Sequence, residues 1–276
     1  MEWRILETPP LGGAVNMAID EAIMLSHSRG EVPPTIRFYR WSPPAVSLGY
    51  FQKAEVEIDF DECRRRGIDV IRRLTGGRAV LHDTEITYSL VISENYPGIP
   101  STITGSYRYF SAGLVTGLEK LGIKAQMSLP RSAYSRIDQR KKLASAACFD
   151  SPSSYEITYA GRKFVGSAQV RKQAVILQHG SVLLSFSPEK LAAVLKLPTR
   201  DRRELMVSTL NDSVTSVEKI LGGKINWEEV RTALLMGVCE TLEVTASNGC
   251  LTSEEQIVSQ QLANDKYRNP AWTCKH

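Results

Sequence analysis

No apolar run in this chain approaches the ~20 residues that a bilayer-spanning helix needs. The start, Met1-Glu2-Trp3-Arg4-Ile5-Leu6-Glu7, has no basic segment followed by an apolar one, so it does not read as a secretory signal. Cysteine is sparse and scattered: five residues, at 63, 148, 239, 250 and 274, with no CxxC pair. That spacing suggests neither a zinc site nor a disulfide framework and points to a reduced, cytoplasmic setting. Internal repeats and low-complexity linkers are also missing. Strong charge of one sign is absent too. Lys and Arg number 34 against 30 Asp and Glu, a net charge of +4. This falls short of a dedicated nucleic-acid binder, although it suits an acidic protein partner.

What is present is ordinary for a soluble globular protein: 42% hydrophobic and 23% charged residues in a chain of 276, enough to bury a sizeable core. Apolar spacing predicts a helix over 15–28. Residues 36–41 and 45–48 read as strands separated by Ser42-Pro43-Pro44. A short helix over 59–66 has an acidic start, a basic end and Gly67 as its stop. Strands over 69–74 and 79–82 flank a glycine turn. Residues 86–93 alternate as a half-buried strand does. A long helix over 102–121 ends at Gly122, and 131–142 reads as a basic surface loop. The stretch 155–169 is a hairpin about Ala160-Gly161, followed by a strand over 175–184. Beyond that the chain turns helical, with capping boxes at Asn226/Glu229 and Thr252/Glu255. Strands too closely spaced for βαβ crossovers make the class α+β, with mostly antiparallel sheets.

The organising stretch is Arg72-Arg73-Leu74-Thr75-Gly76-Gly77-Arg78-Ala79-Val80-Leu81-His82-Asp83. Paired glycines let backbone N–H groups approach a ligand closely, and arginines beside them make a cradle for an anion or carbonyl. The same residues also suit a plain hairpin turn with solvated arginines. A second segment is Gly161-Arg162-Lys163-Phe164-Val165-Gly166-Ser167-Ala168-Gln169. In a two-residue hairpin at Ala160-Gly161, Tyr159 pairs with Arg162 and Thr158 with Lys163. Lys163, Val165 and Ser167 then share a face. Cys148, among alanines, suits a buried packing role. A lysine ammonium nearby would instead favour its thiolate, the reactive form.

These two motifs, in this order, resemble the signature of the biotin/lipoate protein ligase superfamily, over about residues 36–184. The resemblance implies a ligase-like catalytic domain over 1–250: a mostly antiparallel central sheet, a smaller sheet and flanking helices. Residues 251–276 would form a short helical extension and tail rather than a separate domain. ATP-dependent ligases of the superfamily usually carry a third glycine where this chain has Arg78, and Gly-Asn where it has Thr84-Glu85. Cys148-Phe149-Asp150, Lys163 and Gly166-Ser167-Ala168-Gln169 together resemble the cysteine/lysine octanoyltransferase branch.

That branch moves octanoyl from acyl carrier protein to a lysine of a lipoyl domain, such as the glycine cleavage H protein. The resemblance implies that Cys148 attacks the octanoyl thioester and carries the acyl group. The lipoyl-domain lysine then attacks to form an amide, without ATP or metal. Lys163 would lower the cysteine pKa and help stabilise the oxyanion. Gly76, Gly77 and Ala79 would wall the acyl tunnel opposite Gly166, Ser167 and Ala168. Each buried CH₂ would contribute roughly 0.8 kcal/mol to recognition. Arg73, Thr75 and Arg78 belong to the same substrate-binding turn. His82 is a candidate base for the incoming amine, and a better candidate for orienting the glycine turn by hydrogen bonding. His179 has the same two readings. Cys63, Cys239 and Cys250 read as packing residues and Cys274 as part of a tail. Three other activities stay open: amidotransfer between lipoyl domains, ATP-dependent ligation, and nucleic-acid binding through the basic loop.

Overall fold

Ile86, Tyr88, Leu90 and Ile92, alternating with Thr87, Ser89 and Val91, mark the strand around which the molecule is built. The computed structural model describes residues 2–128 and 156–275. In it this strand, β6 (Glu85–Ser93), lies inside an eight-stranded sheet. The other members are β1 (Glu2–Glu7), β2 (Thr35–Tyr39), β7 (Gln126–Met127), β8 (Ile157–Tyr159), β9 (Arg162–Lys172), β10 (Val175–Leu183) and β11 (Thr245–Asn248). Their order is β11-β1-β2-β6-β10-β9-β8-β7. β11, β1 and β2 run parallel, and every pairing from β2 to β7 is antiparallel. A smaller sheet, ordered β4-β3-β5, joins β3 (Ala45–Leu48), β4 (Asp69–Arg72) and β5 (Val80–His82). The expected α+β class holds, with a larger and a smaller sheet.

The strand over 86–93 is not half-buried. Its apolar face lies in a core with residues of α4 (Ile103–Lys120) and α8 (Trp227–Leu242). Its other face is covered as well: Thr87 and Ser89 are buried, beside a smaller cluster of Val91 with Ile19, Ile23 and Met24 of α1 (Gly13–Ser28). The small sheet packs with α2 (Ala54–Glu57), α3 (Phe60–Arg65), α5 (Pro188–Val194) and α6 (Arg200–Ser213) around Leu48, Leu81, Leu191 and Leu210. α7 (Val217–Leu221) follows the turn after α6.

Helix ends follow the local chemistry. Asp59 accepts from the Glu62 N–H at 2.9 Å, and Thr102 from the Gly105 N–H at 3.0 Å. Thr252 and Glu255 form the expected reciprocal capping box at the start of α9 (Ser253–Leu262). Asn226 caps α8 differently, accepting from Glu228 rather than engaging Glu229.

The last residues are tied into the body. Arg4 forms a buried pair with Glu255 at 2.6 Å. A π-helical turn, Ala263–Tyr267, brings Lys266 and the Tyr267 hydroxyl onto Glu21 at 2.7 and 2.8 Å. It leads into α10 (Pro270–Thr273). Among the described residues no helix is long and apolar enough to cross a membrane.

Candidate functional site

The strands flanking the glycine turn do not form a hairpin. β4 and β5 lie on opposite sides of β3, parallel and antiparallel to it respectively. The turn therefore bridges two strands separated by a third, and it has no ladder of its own to hold it. One backbone bond, from the Tyr50 N–H to the Thr75 carbonyl at 2.9 Å, and several side chains do that work. Arg73 is buried and uses all five of its N–H groups. Nε donates to Thr75 Oγ1 (3.1 Å), Nη1 to the Ser47 carbonyl and Oγ (2.8 and 3.1 Å), and Nη2 to the carbonyls of Gly76 and Arg78 (2.7 and 2.8 Å). It thus shapes the turn.

Arg72, fully buried, staples the neighbouring 49–52 loop through the carbonyls of Gly49, Tyr50 and Gln52 and reaches Thr273. Gly49 is required here: a Cβ on it would lie 2.0 Å from the Gly77 carbonyl oxygen. Gly77 has φ +93°, which favours glycine, and open space surrounds the position of a Cβ on Gly76.

Two histidines support the turn. His82 is buried and stacks on Trp41, with ring centroids 4.0 Å apart. Its Nδ1 faces Glu85 Oε1 at 2.7 Å and its Nε2 faces Ser47 Oγ at 2.7 Å. Both ring nitrogens are engaged, the arrangement expected of a histidine that orients the turn. His179 reaches the turn from β10, with Nε2 2.6 Å from Thr75 Oγ1 and Nδ1 3.7 Å from Asp20 Oδ2.

Burial lowers the His179 pKa, helped by Arg73 and His82 and opposed by Asp20. For Asp20, burial pushes the carboxyl up, but Arg37 and His179 more than offset it and the pKa is lowered. Arg37 pairs with Asp20 at 2.7 Å and donates to Asn16. Ser47, Glu85, Asp20 and Asn16 escaped the sequence reading. The available signal was polar Asn16 and Asp20 four apart on the first turns of a helix that is otherwise apolar from Ala14 to Ile19.

Gly166 and Ala168 sit opposite Ser181 and His179 in the β9–β10 ladder, and cross-strand partners share a face. They are therefore the members of the second motif on the side of the glycine turn. Ser167 points to the other face, where its hydroxyl meets Tyr88 Oη at 2.7 Å. Ala79 is buried in the small-sheet core, and Arg78 is half-buried.

The hairpin register is as expected, with Tyr159 opposite Arg162 and Thr158 opposite Lys163. A bulge follows. Ile157 pairs with Val165, and Phe164 and Val165 both enter the α4/α8 core, so alternation does not tie Lys163 to Val165 and Ser167. Lys163 is buried, with its Nζ 2.5 Å from Glu156 Oε1. Cys148 and the basic stretch 131–142 lie outside the described residues.

Of the other cysteines, burial pushes the Cys63 thiol up to about 12 and raises Cys239 and Cys274. Among the described residues no cluster of His, Cys, Asp or Glu is placed to hold a metal ion.

The arginine-pinned glycine turn, Gly166 and Ala168 opposite Ser181 and His179, and the buried Lys163 are the parts of the two motifs that the structure describes. The chain belongs to the lipoyl protein ligase A/B catalytic domain family, whose profile matches residues 13–238. It is 49% identical over 276 residues to an octanoyltransferase LipM from Kyrpidia tusciae, covering 99% of this chain and 98% of that protein. Among solved structures it is similar to a bi-partite lipoate protein ligase from Thermoplasma acidophilum, studied with its E2 lipoyl domain. That likeness has TM-score 0.81 and 28% identity, over 99% of this chain and 96% of the other. A lipoate-protein ligase A bound with ATP superposes with TM-score 0.80 at 29% identity, over 99% of both chains.

Proposed function

We infer that the chain is an octanoyltransferase of lipoate biosynthesis, acting in the cytoplasm on a lipoyl-domain lysine. It takes octanoyl from acyl carrier protein and carries it as a thioester on Cys148. The observation that supports this above all is the full-length likeness to octanoyltransferase LipM, well beyond its 28–29% identity to the ligases.

The chemistry runs in two exchanges. The Cys148 thiolate attacks the carbonyl and the carrier thiol leaves. The lysine amine then attacks the acyl-enzyme, its N–C bond forms, and the C–S bond breaks. Thioester to amide is downhill, so no nucleotide is needed. Lys163, held by Glu156, offers a fixed ammonium to the thiolate and to the oxyanion without reorganisation at the moment of reaction. The turn at Gly76-Gly77, with Gly166 and Ala168, receives the acyl chain. Three of the other cysteines are poor thiolates, which leaves Cys148 a stronger candidate than Cys63, Cys239 or Cys274.

The test is intact-mass analysis after mixing the enzyme with octanoyl-carrier and no ATP. One hydroxylamine-cleavable octanoyl adduct is expected, and Cys148→Ser should lose both adduct and turnover. Full turnover by that variant would overturn the thioester mechanism. The fold likeness to a ligase bound with ATP keeps a second reading in view. A ligase would be active on free octanoate only with ATP and Mg²⁺, and indifferent to Cys148.

A further inference from the structure

Three ammonium groups gather where the end of the chain meets the loop beside the glycine turn. Lys275 Nζ lies 3.1 Å from the centroid of the Tyr50 ring and 3.8 Å from that of Trp272. Lys266 Nζ lies 4.3 Å from the same Trp272 centroid. Lys172, the last residue of β9, is the third. Lys275 first, then Lys266 and Lys172, hold the Tyr50 phenol below its usual pKa. Among the described residues one carboxylate pairs with this group: buried Glu21, 2.7 Å from Lys266 and 3.8 Å from Lys172, while Lys275 has no ion pair. Exposed Glu55 and Asp265, close in sequence, are matched by exposed Lys53 and Arg268. The arginine run 64–66 is different, because Asp61 and Glu62 pair with all three of its members.

Burial lowers the Lys275 pKa, and Arg72 and Lys266 add to that effect against Tyr50. Like charges are crowded here, and an arriving anion would relieve them. The aromatic rings that carry the charge are held in place. Tyr50 and Trp272 meet edge to face at 5.9 Å, and the Trp272 Nε1–H donates to the Arg72 carbonyl at 2.9 Å. Phe51 stands against Tyr50 with ring centroids 4.9 Å apart and is 77% exposed. This surface adjoins the glycine turn, since the Tyr50 N–H donates to the Thr75 carbonyl and Gly49 abuts Gly77.

Exposed aromatic area ringed by unneutralised lysines fits an acidic protein surface. The charge also discriminates between the two protein substrates of the acyl transfer. A lipoyl domain arrives with a lysine, a cation that three ammonium groups repel. A carrier protein arrives with an acidic surface and an arm attached through a phosphodiester, both of which they attract. We propose that this face docks the octanoyl-loaded acyl carrier protein. Lys172, Lys266 and Lys275 meet the acidic surface and phosphodiester at the base of its arm, and Phe51 makes the apolar contact. The proposal rests on the acyl-transfer reading above, which puts the acyl chain at the adjoining glycine turn, and adds to it the side from which the donor approaches.

The test reads docking apart from turnover. Binding of holo-carrier is measured by titration calorimetry, and steady-state transfer is measured with octanoyl-carrier and with octanoyl-pantetheine, which has neither protein nor phosphate. Lys275→Gln and Lys172→Gln lie on different elements, so a local folding fault in one leaves the other informative. Each should weaken carrier binding by about 5-fold, the scale of one surface ion pair. Each should raise KM for octanoyl-carrier to the same extent, with kcat little moved and a shallower salt dependence. KM for octanoyl-pantetheine and for the lipoyl domain should stay near the wild-type values. Unchanged carrier affinity in both variants would overturn the proposal, and so would an equal loss of affinity for the lipoyl domain. A wild type that binds carrier through these lysines and yet transfers no octanoyl would keep the docking face and sink the acyl-transfer reading instead.

Discussion

Replacing Arg73 by lysine keeps the charge and removes the fork. The guanidinium places five N–H groups in one plane, and each has an acceptor within 3.1 Å. An ammonium has three donors, so at least two acceptors lose their partner. Hydrogen bonds to charged groups contribute about 1.5–3 kcal/mol each. The loss depends on which acceptors go unpaired. Ser47 and Thr75 are buried at 1% and 0% exposure, and water cannot replace the guanidinium there. Gly76 and Arg78 are half-buried, so water can partly restore their carbonyls. If the turn is where the deficit falls, the cost sits at the low end, about 3 kcal/mol for two bonds. For a chain of this size that lowers the unfolding midpoint by roughly 6–12 °C. Thermal unfolding followed by far-UV circular dichroism measures it, and octanoyl transfer should fall with it because the turn loses its shape. A variant melting within about 2 °C of the wild type, with full activity, would refute the claim that Arg73 builds the turn.

Two further outcomes follow from the same region. Gly49→Ala would push a methyl into the Gly77 carbonyl, a backbone atom that cannot swing aside. We expect destabilisation of more than about 2 kcal/mol in urea unfolding, and a stable Gly49→Ala protein would contradict the close approach. Stability should also fall on acidification. His179 has a lowered pKa when folded, so below its unfolded value of about 6.5 the unfolded chain binds more protons and the native state loses ground. Asp20, lowered when folded, adds a second loss that begins below about pH 4. His179→Gln should flatten the first of these windows in urea titrations between pH 7.5 and 5, and an unchanged slope would exclude His179 as its source.

What could be read from the chain was whatever depends on near neighbours. The helix over Gly13–Ser28, the β3 bounds at Ala45 and Leu48, the Asp59 and Thr102 caps and the Thr158–Lys163 register all follow from local spacing and turn chemistry. The glycine turn misled for the opposite reason. Its flanking strands look like a hairpin because they are adjacent in sequence, yet β3, more than twenty residues earlier, inserts between them. β1, β7 and β11 went unseen: two lie near the ends of the described sheet, and their pairing is set by partners elsewhere in the chain. The bulge at Phe164 is equally invisible. One extra residue changes which face Lys163 takes, and no composition signals it. The two glycine motifs were visible as chemistry, and His82 and His179 as supports of the turn, but Ser47, Glu85, Asp20 and Asn16, which hold those histidines and Arg73 in place, were not.

Those side chains share one logic. Each histidine stands between a carboxylate and a hydroxyl, and each hydroxyl also accepts an N–H from Arg73: Thr75 from Nε and Ser47 from Nη1. A carboxylate only accepts, so the His82 nitrogen facing Glu85 carries the proton, and a neutral ring then accepts at Nε2 from Ser47. His179 has the same polarity, with its Nδ1 toward Asp20 and its Nε2 toward Thr75. The guanidinium stays charged at any pH the protein meets, so both hydroxyls always accept from it and keep their own protons free to donate to the rings. One arginine thereby meets the hydroxyl partners of two histidines on two different sheets. Buried ion pairs such as Arg37–Asp20 add little net stability over apolar packing. The value of this pair is geometric: Arg37 holds Asp20 beside His179, and His179 in turn meets the Thr75 hydroxyl of the glycine turn.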